Sequence, residues 1–71
     1  MANEQLRLKN KIKPIIKKLK MSQRQIAQRI GCDQSQFNRY INEKQEPGII
    51  MSLLICKELG KPVEEVFCLR A

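Results

Sequence analysis

The chain has 71 residues, enough for one small core and too few to enclose a substrate, since chains this short bury only about 60% of the surface their unfolded forms expose. An apolar content of 42% excludes a disordered polymer, and with Phe37, Tyr40 and Phe67 as the aromatics the expected interior is aliphatic. A formal charge of +7 selects for polyanionic partners, nucleic acid or an anionic membrane, because a basic field raises their local concentration.

Residues 1–9 alternate weakly, with Leu6 and Leu8 flanking Arg7, which permits a short strand. From Asn10 the period becomes helical: Ile12, Ile15, Ile16 and Leu19 recur at three and four, with Lys11, Lys13, Lys17, Lys18 and Lys20 on the remaining faces. Pro14 puts the helix start near residue 13, since proline is tolerated in the first turn and breaks a helix further in. Ser22 and Gln25 then form a capping box, with Met21 and Ile26 as its staple; Ile26, Ala27 and Ile30 face inward, and Gly31 stops the second helix. Asp33 repeats the device with Gln36, stapled by Cys32 and Phe37, and starts a third helix whose inward face is Phe37, Tyr40 and Ile41.

Residues 42–48 are polar and rich in turn formers, and predict a loop. A fourth helix follows, with Ile49, Leu53, Cys56 and Leu59 as its inward stripe, Met51 and Ile55 widening it, and Gly60 as its stop. Lys61 and Pro62 open a short fifth helix through Glu65, and Val66 to Leu69 is β-prone enough for a terminal strand. The expected architecture is all-α, five helices with short terminal β-strands permitted, in a single domain over residues 1–71.

Two capped helices joined by a short glycine turn are the local signature of a helix-turn-helix, here residues 22–42, in which the second helix docks in the DNA major groove. Gln23, Ala27, Gly31, Phe37 and Tyr40 supply a polar start, a small residue at the helix crossing, a turn glycine and two core residues. On those residues the segment resembles the Cro-like or Xre-like phage-repressor family, and the resemblance extends from about Lys9 to Phe67. It implies a five-helix fold and sequence-specific operator binding. Members often carry an acidic residue followed by Asn-Gly after the third helix; this chain has Ile41, Asn42 and Glu43 there.

Apart from any family, the third helix offers solvent Gln34, Ser35, Gln36, Asn38 and Arg39, the side chains suited to reading bases. Glutamine and asparagine can bond adenine N6 and N7 together, and arginine can bond guanine O6 and N7 together. Gln23 is implied by the resemblance to bond a DNA phosphate and to buttress Gln34. Arg24, Asn42 and Lys44 flank the recognition helix as backbone-contact candidates, needing only reach and charge, and Lys11, Lys13, Lys17 and Lys18 can add to the general field.

Ile50 and Leu54 sit a turn apart where the family usually presents polar residues, and with Phe67 and Leu69 of the terminal strand they are candidates for a homodimer interface. A dimer would set two recognition helices about 34 Å apart, one turn of DNA. The expected partner is therefore double-stranded DNA, bound by a homodimeric regulator, a repressor by default because no second domain for a small-molecule effector is visible. No cofactor or metal is expected, since Cys32, Cys56 and Cys68 lack Cys-x-x-Cys spacing and no histidine accompanies them.

An enzyme is not expected, because the chain has no histidine, no phosphate-binding glycine loop and no spaced carboxylate pair. Without a secretory signal or an apolar run of about 20 residues, a cytoplasmic protein with reduced thiols is expected. The competing reading is a membrane-surface module built on the basic amphipathic helix of Ile12, Ile15, Ile16 and Leu19. An antitoxin-like protein-interaction module is compatible with DNA binding.

Overall fold

A computed structural model describes residues 6–70. In chain order the elements are β1 (Arg7–Asn10), α1 (Ile12–Leu19), α2 (Gln23–Ile30), α3 (Gln34–Ile41), α4 (Ile49–Leu59), α5 (Val63–Val66) and β2 (Phe67–Arg70). The described residues are thus mostly helical, five helices framed by two short strands. Val66 closes α5 rather than opening the strand, and its carbonyl accepts from the Lys11 N–H at 2.8 Å, joining the two ends of the domain.

Strands β1 and β2 pair antiparallel in the register Arg7 to Arg70, Leu8 to Leu69, Lys9 to Cys68 and Asn10 to Phe67. Residues opposite one another share a face and neighbours along a strand alternate. Leu8, Leu69, Asn10 and Phe67 therefore lie on the inner face, and Arg7, Arg70, Lys9 and Cys68 on the outer. Phe67 is buried in the core, which removes it from the expected dimer contacts, whereas Leu69 at the strand end is 65% exposed.

Helix α1 begins at Ile12, with Pro14 third in its first turn, where a missing N–H breaks no bond. The Asn10 side-chain oxygen accepts from the Ile12 N–H at 3.1 Å and secures that start. The helix ends at Lys20, a non-glycine residue in the left-handed region, φ 56°, which no sequence signal announced. Ile12 and Ile16 are buried, Ile15 half-buried and Leu19 exposed, so the face that a membrane-surface helix would need is occupied by the core.

Core residues come from every helix and from β2, with Ile12, Phe37 and Ile55 fully inaccessible at its centre. Helix α4 is rotated relative to the sequence expectation. Ser52, Ile55, Cys56 and Leu59 face inward, while Ile49 and Leu53, expected inside, are exposed. The physical reason is that α4 is apolar almost all round, so its period carries no preferred direction; packing against α2 and α5 chooses the side. Ser52 lines a shallow cleft with Leu8 and Phe67.

Candidate nucleic-acid interface

The α2–α3 pair owes its angle to its turn. The Ser22 hydroxyl accepts from the Gln25 N–H at 3.3 Å, so one half of the capping box closes over the start of α2. At its end Gly31 adopts φ 81°, a left-handed conformation costly for any side-chain-bearing residue. The Gly31 and Cys32 N–H groups both donate to the Ala27 carbonyl at 3.0 Å, turning the chain before it re-enters a helix. Ala27 is buried on α2, which packs against both α3 and α4, so a larger side chain there would have to displace the core. Asp33 caps α3 by backbone conformation alone: its side chain accepts no capping bond.

Helix α3 is sharply two-sided. Phe37, Tyr40 and Ile41 are buried, while Gln34, Ser35, Asn38 and Arg39 are exposed, and with Asn42 they make one strip at helical spacing. Gln36 stands apart from that strip. It is half-buried and donates from Nε2 to the Tyr40 hydroxyl at 2.8 Å, which leaves its carbonyl oxygen and one N–H for a ligand. Arg39 donates from Nε to the Gln45 side-chain oxygen at 3.2 Å, leaving its terminal nitrogens outward. Asn42 donates to the Asn38 side-chain oxygen.

Gln23 is half-buried and Arg24 exposed at the start of α2. No side-chain hydrogen bond joins Gln23 to Gln34; the bonds on this face are those of Gln36, Arg39 and Asn38. Lys44 is exposed on the loop beyond α3, and its backbone N–H donates to the Arg39 carbonyl at 2.9 Å, binding the loop to the helix.

Glu43 takes a left-handed conformation in this loop without being glycine. Its φ is 61°, the left-handed region, at the position where the resembling family often has glycine. Its carboxylate accepts from the Asn10 N–H at 3.0 Å and from Lys9 Nζ at 3.2 Å. Those bonds hold the Glu43 carboxyl below the usual carboxylate range, the Asn10 N–H contributing most. Asn10 adds its side-chain N–H to the Tyr40 carbonyl at 2.8 Å, and the Leu8 N–H donates to the Glu46 carboxylate at 3.2 Å. β1 therefore braces the end of α3. Sequence reasoning missed Asn10, Glu43 and Gln45 in these roles; Gln45 lies close in sequence to Arg39, but the β1 partners are more than thirty residues away.

Cys32, in the turn, is half-buried, and burial pushes its thiol up, with Asp33 adding to the effect. Burial likewise raises Cys56, with Glu64 adding. Both favour the neutral thiol, a poor nucleophile.

Comparison with known proteins relates the chain to others both by sequence and by fold. The helix-turn-helix family profile matches residues 12–66, from the start of α1 to the end of α5. Among solved structures, the chain is similar to a Bacteroides fragilis protein described provisionally as DNA-binding, with a TM-score of 0.78 at 18% identity, covering 86% of this chain and 98% of that one. A search of curated proteins found no match.

Proposed function

The chain belongs to the helix-turn-helix family, and on that premise we propose that it is a sequence-specific double-stranded DNA-binding regulator that reads the major groove with α3. The observation that carries this reading is the outward strip of Gln34, Ser35, Asn38 and Arg39 on a helix held by a buried apolar face and a left-handed glycine turn. Rigid placement matters because a bidentate amide or guanidinium contact discriminates bases only if its plane meets the base edge. Gln36 joins the reading group with its free carbonyl oxygen. Gln23, Arg24, Asn42 and Lys44 contact phosphates on either side and set the register of the helix in the groove. The Bacteroides fragilis protein's provisional description accords with this.

The regulator acts as a homodimer through the outward side of α4. Ile49 and Ile50 are each 73% exposed and Leu53 50%, with Leu54 at the margin and Leu69 beyond it on β2. A contiguous apolar surface of this kind on a small protein favours association, and a second copy supplies the matching surface by symmetry. In this reading the contacts are Ile50, Leu54 and Leu69, joined by Ile49 and Leu53. Occupying an operator excludes other proteins from it, which makes repression the simplest regulatory outcome, and the cytoplasm is the matching compartment. Among the described residues no helix is long and apolar enough to cross a membrane.

Selection of bound duplexes from a random DNA pool tests the reading. The expected result is one recovered motif with a two-fold repeat, and binding that weakens linearly in log salt as phosphate counterions are released. Equal recovery of all sequences would overturn it.

A further inference from the structure

The outer face of the two-stranded sheet is crowded with cations. Arg7 and Arg70 are directly opposite in the register, and Lys9 and then Lys11 continue the same side. Like charges facing one another across a strand pair repel, so this arrangement does not serve the sheet's own stability. The β1 side of that face borders the loop after α3. A cleft of about 480 Å³ separates β1 from that loop, lined by Arg7, Lys9, Asn42, Glu43, Lys44 and Glu46.

The two acids in that cleft are already engaged. Glu43 accepts from Lys9 and the Asn10 N–H, and Glu46 from the Leu8 N–H, so their oxygens tie β1 to the loop. Arg7 and Lys44 stand on either side of the cleft, and neither has an ionic partner among the described residues.

We infer that Arg7, with Arg70 beside it, forms a second phosphate-binding surface that continues the α3 interface across the Lys44 cleft onto the sheet, gripping the DNA backbone beyond the bases that α3 reads. The inference rests on the DNA-binding reading above. The ligand is the phosphodiester backbone of duplex DNA, whose charge density would also relieve the repulsion between the two arginines. The β1 brace through Glu43 and Asn10 then has a second consequence, because it fixes this surface to the end of the recognition helix.

The test is a salt titration of the wild-type chain and of Arg7→Ala, Arg7→Lys and Gln34→Ala on the duplex that the wild type selects and on an unrelated duplex, with a thermal melt of each protein. Arg7→Ala is expected to reduce the log-log salt slope by about 0.9 for each phosphate it no longer neutralises, to weaken all duplexes alike, and to leave the melting midpoint unchanged or raised. Arg7→Lys should keep the slope. A wild-type slope and affinity in Arg7→Ala would overturn the inference, as would weakened binding accompanied by a lowered midpoint that Arg7→Lys does not restore. If the wild type selects no duplex, the DNA-binding reading itself fails; if it selects one that Arg7→Ala binds equally well, only the present inference does.

Discussion

Helices α3 and α4 both give up their outer faces to solvent, but the two faces are chemically opposite. That of α3 is polar, Gln34, Ser35, Asn38 and Arg39, whereas that of α4 is apolar, Ile49, Ile50, Leu53 and Leu54. Amide and guanidinium groups are well solvated when free and lose little while waiting for a ligand. Exposed branched aliphatics gain by leaving water, so the α4 face is suited to a permanent contact. On the proposed reading, DNA recognition and assembly fall on separate helices.

The largest expected effect tests what lies beneath those surfaces. Phe37→Ala, at the fully buried centre under α3, should cost about 3–5 kcal/mol of stability, whereas Leu53→Ala on the outside of α4 should move the monomer by no more than about 0.5 kcal/mol. Chemical denaturation of both at high dilution checks this; similar losses would show that the α4 face is packed within the chain. Next, the double variant Ile50→Glu, Leu54→Lys should convert a dimer to a monomer in sedimentation while keeping its helical content. An unchanged sedimentation coefficient would remove α4 as the assembly surface.

On the α3 side, Gln34→Ala should relax preference at one base pair by about 1–3 kcal/mol without altering sedimentation. If both affinity and preference survive, α3 is not the reading helix. The smallest effect concerns the brace between the regions. Glu43 has a lowered carboxyl value in the folded protein, so its contribution to stability is present above the ordinary carboxylate range and disappears as pH falls through that lowered value. Carboxyl titration followed by NMR should place Glu43 below the ordinary carboxylate range; a midpoint within that range would mean that the Asn10 and Lys9 contacts are not held in solution.

The helix-turn-helix was legible because its information is local. Ser22, Gly31 and the alternation of amides with Phe37, Tyr40 and Ile41 lie within two turns of the groups they act on, so spacing alone predicts caps, turn and inward face. The Asn42–Gly48 loop could be read for the same reason, whereas the terminal strands were only permitted by their residues, because they form by pairing across the chain. Two local readings were incomplete: Asp33 makes no side-chain cap, and Gln36 bonds Tyr40 instead of standing fully free. Backbone conformation can start a helix without the cap, and Tyr40, one turn further along, offers Gln36 an alternative partner.

Sequence by itself determined the helix order and the polar face of α3, since each follows from residue type and short-range period. The orientation of α4, the burial of Phe67 and the bracing of Glu43 by β1 were decided only by tertiary structure. An apolar helix has no intrinsic inward side until neighbours cover one. A carboxylate more than thirty residues from its partner likewise gives no sign of the bond until the fold brings the two strands and the loop together.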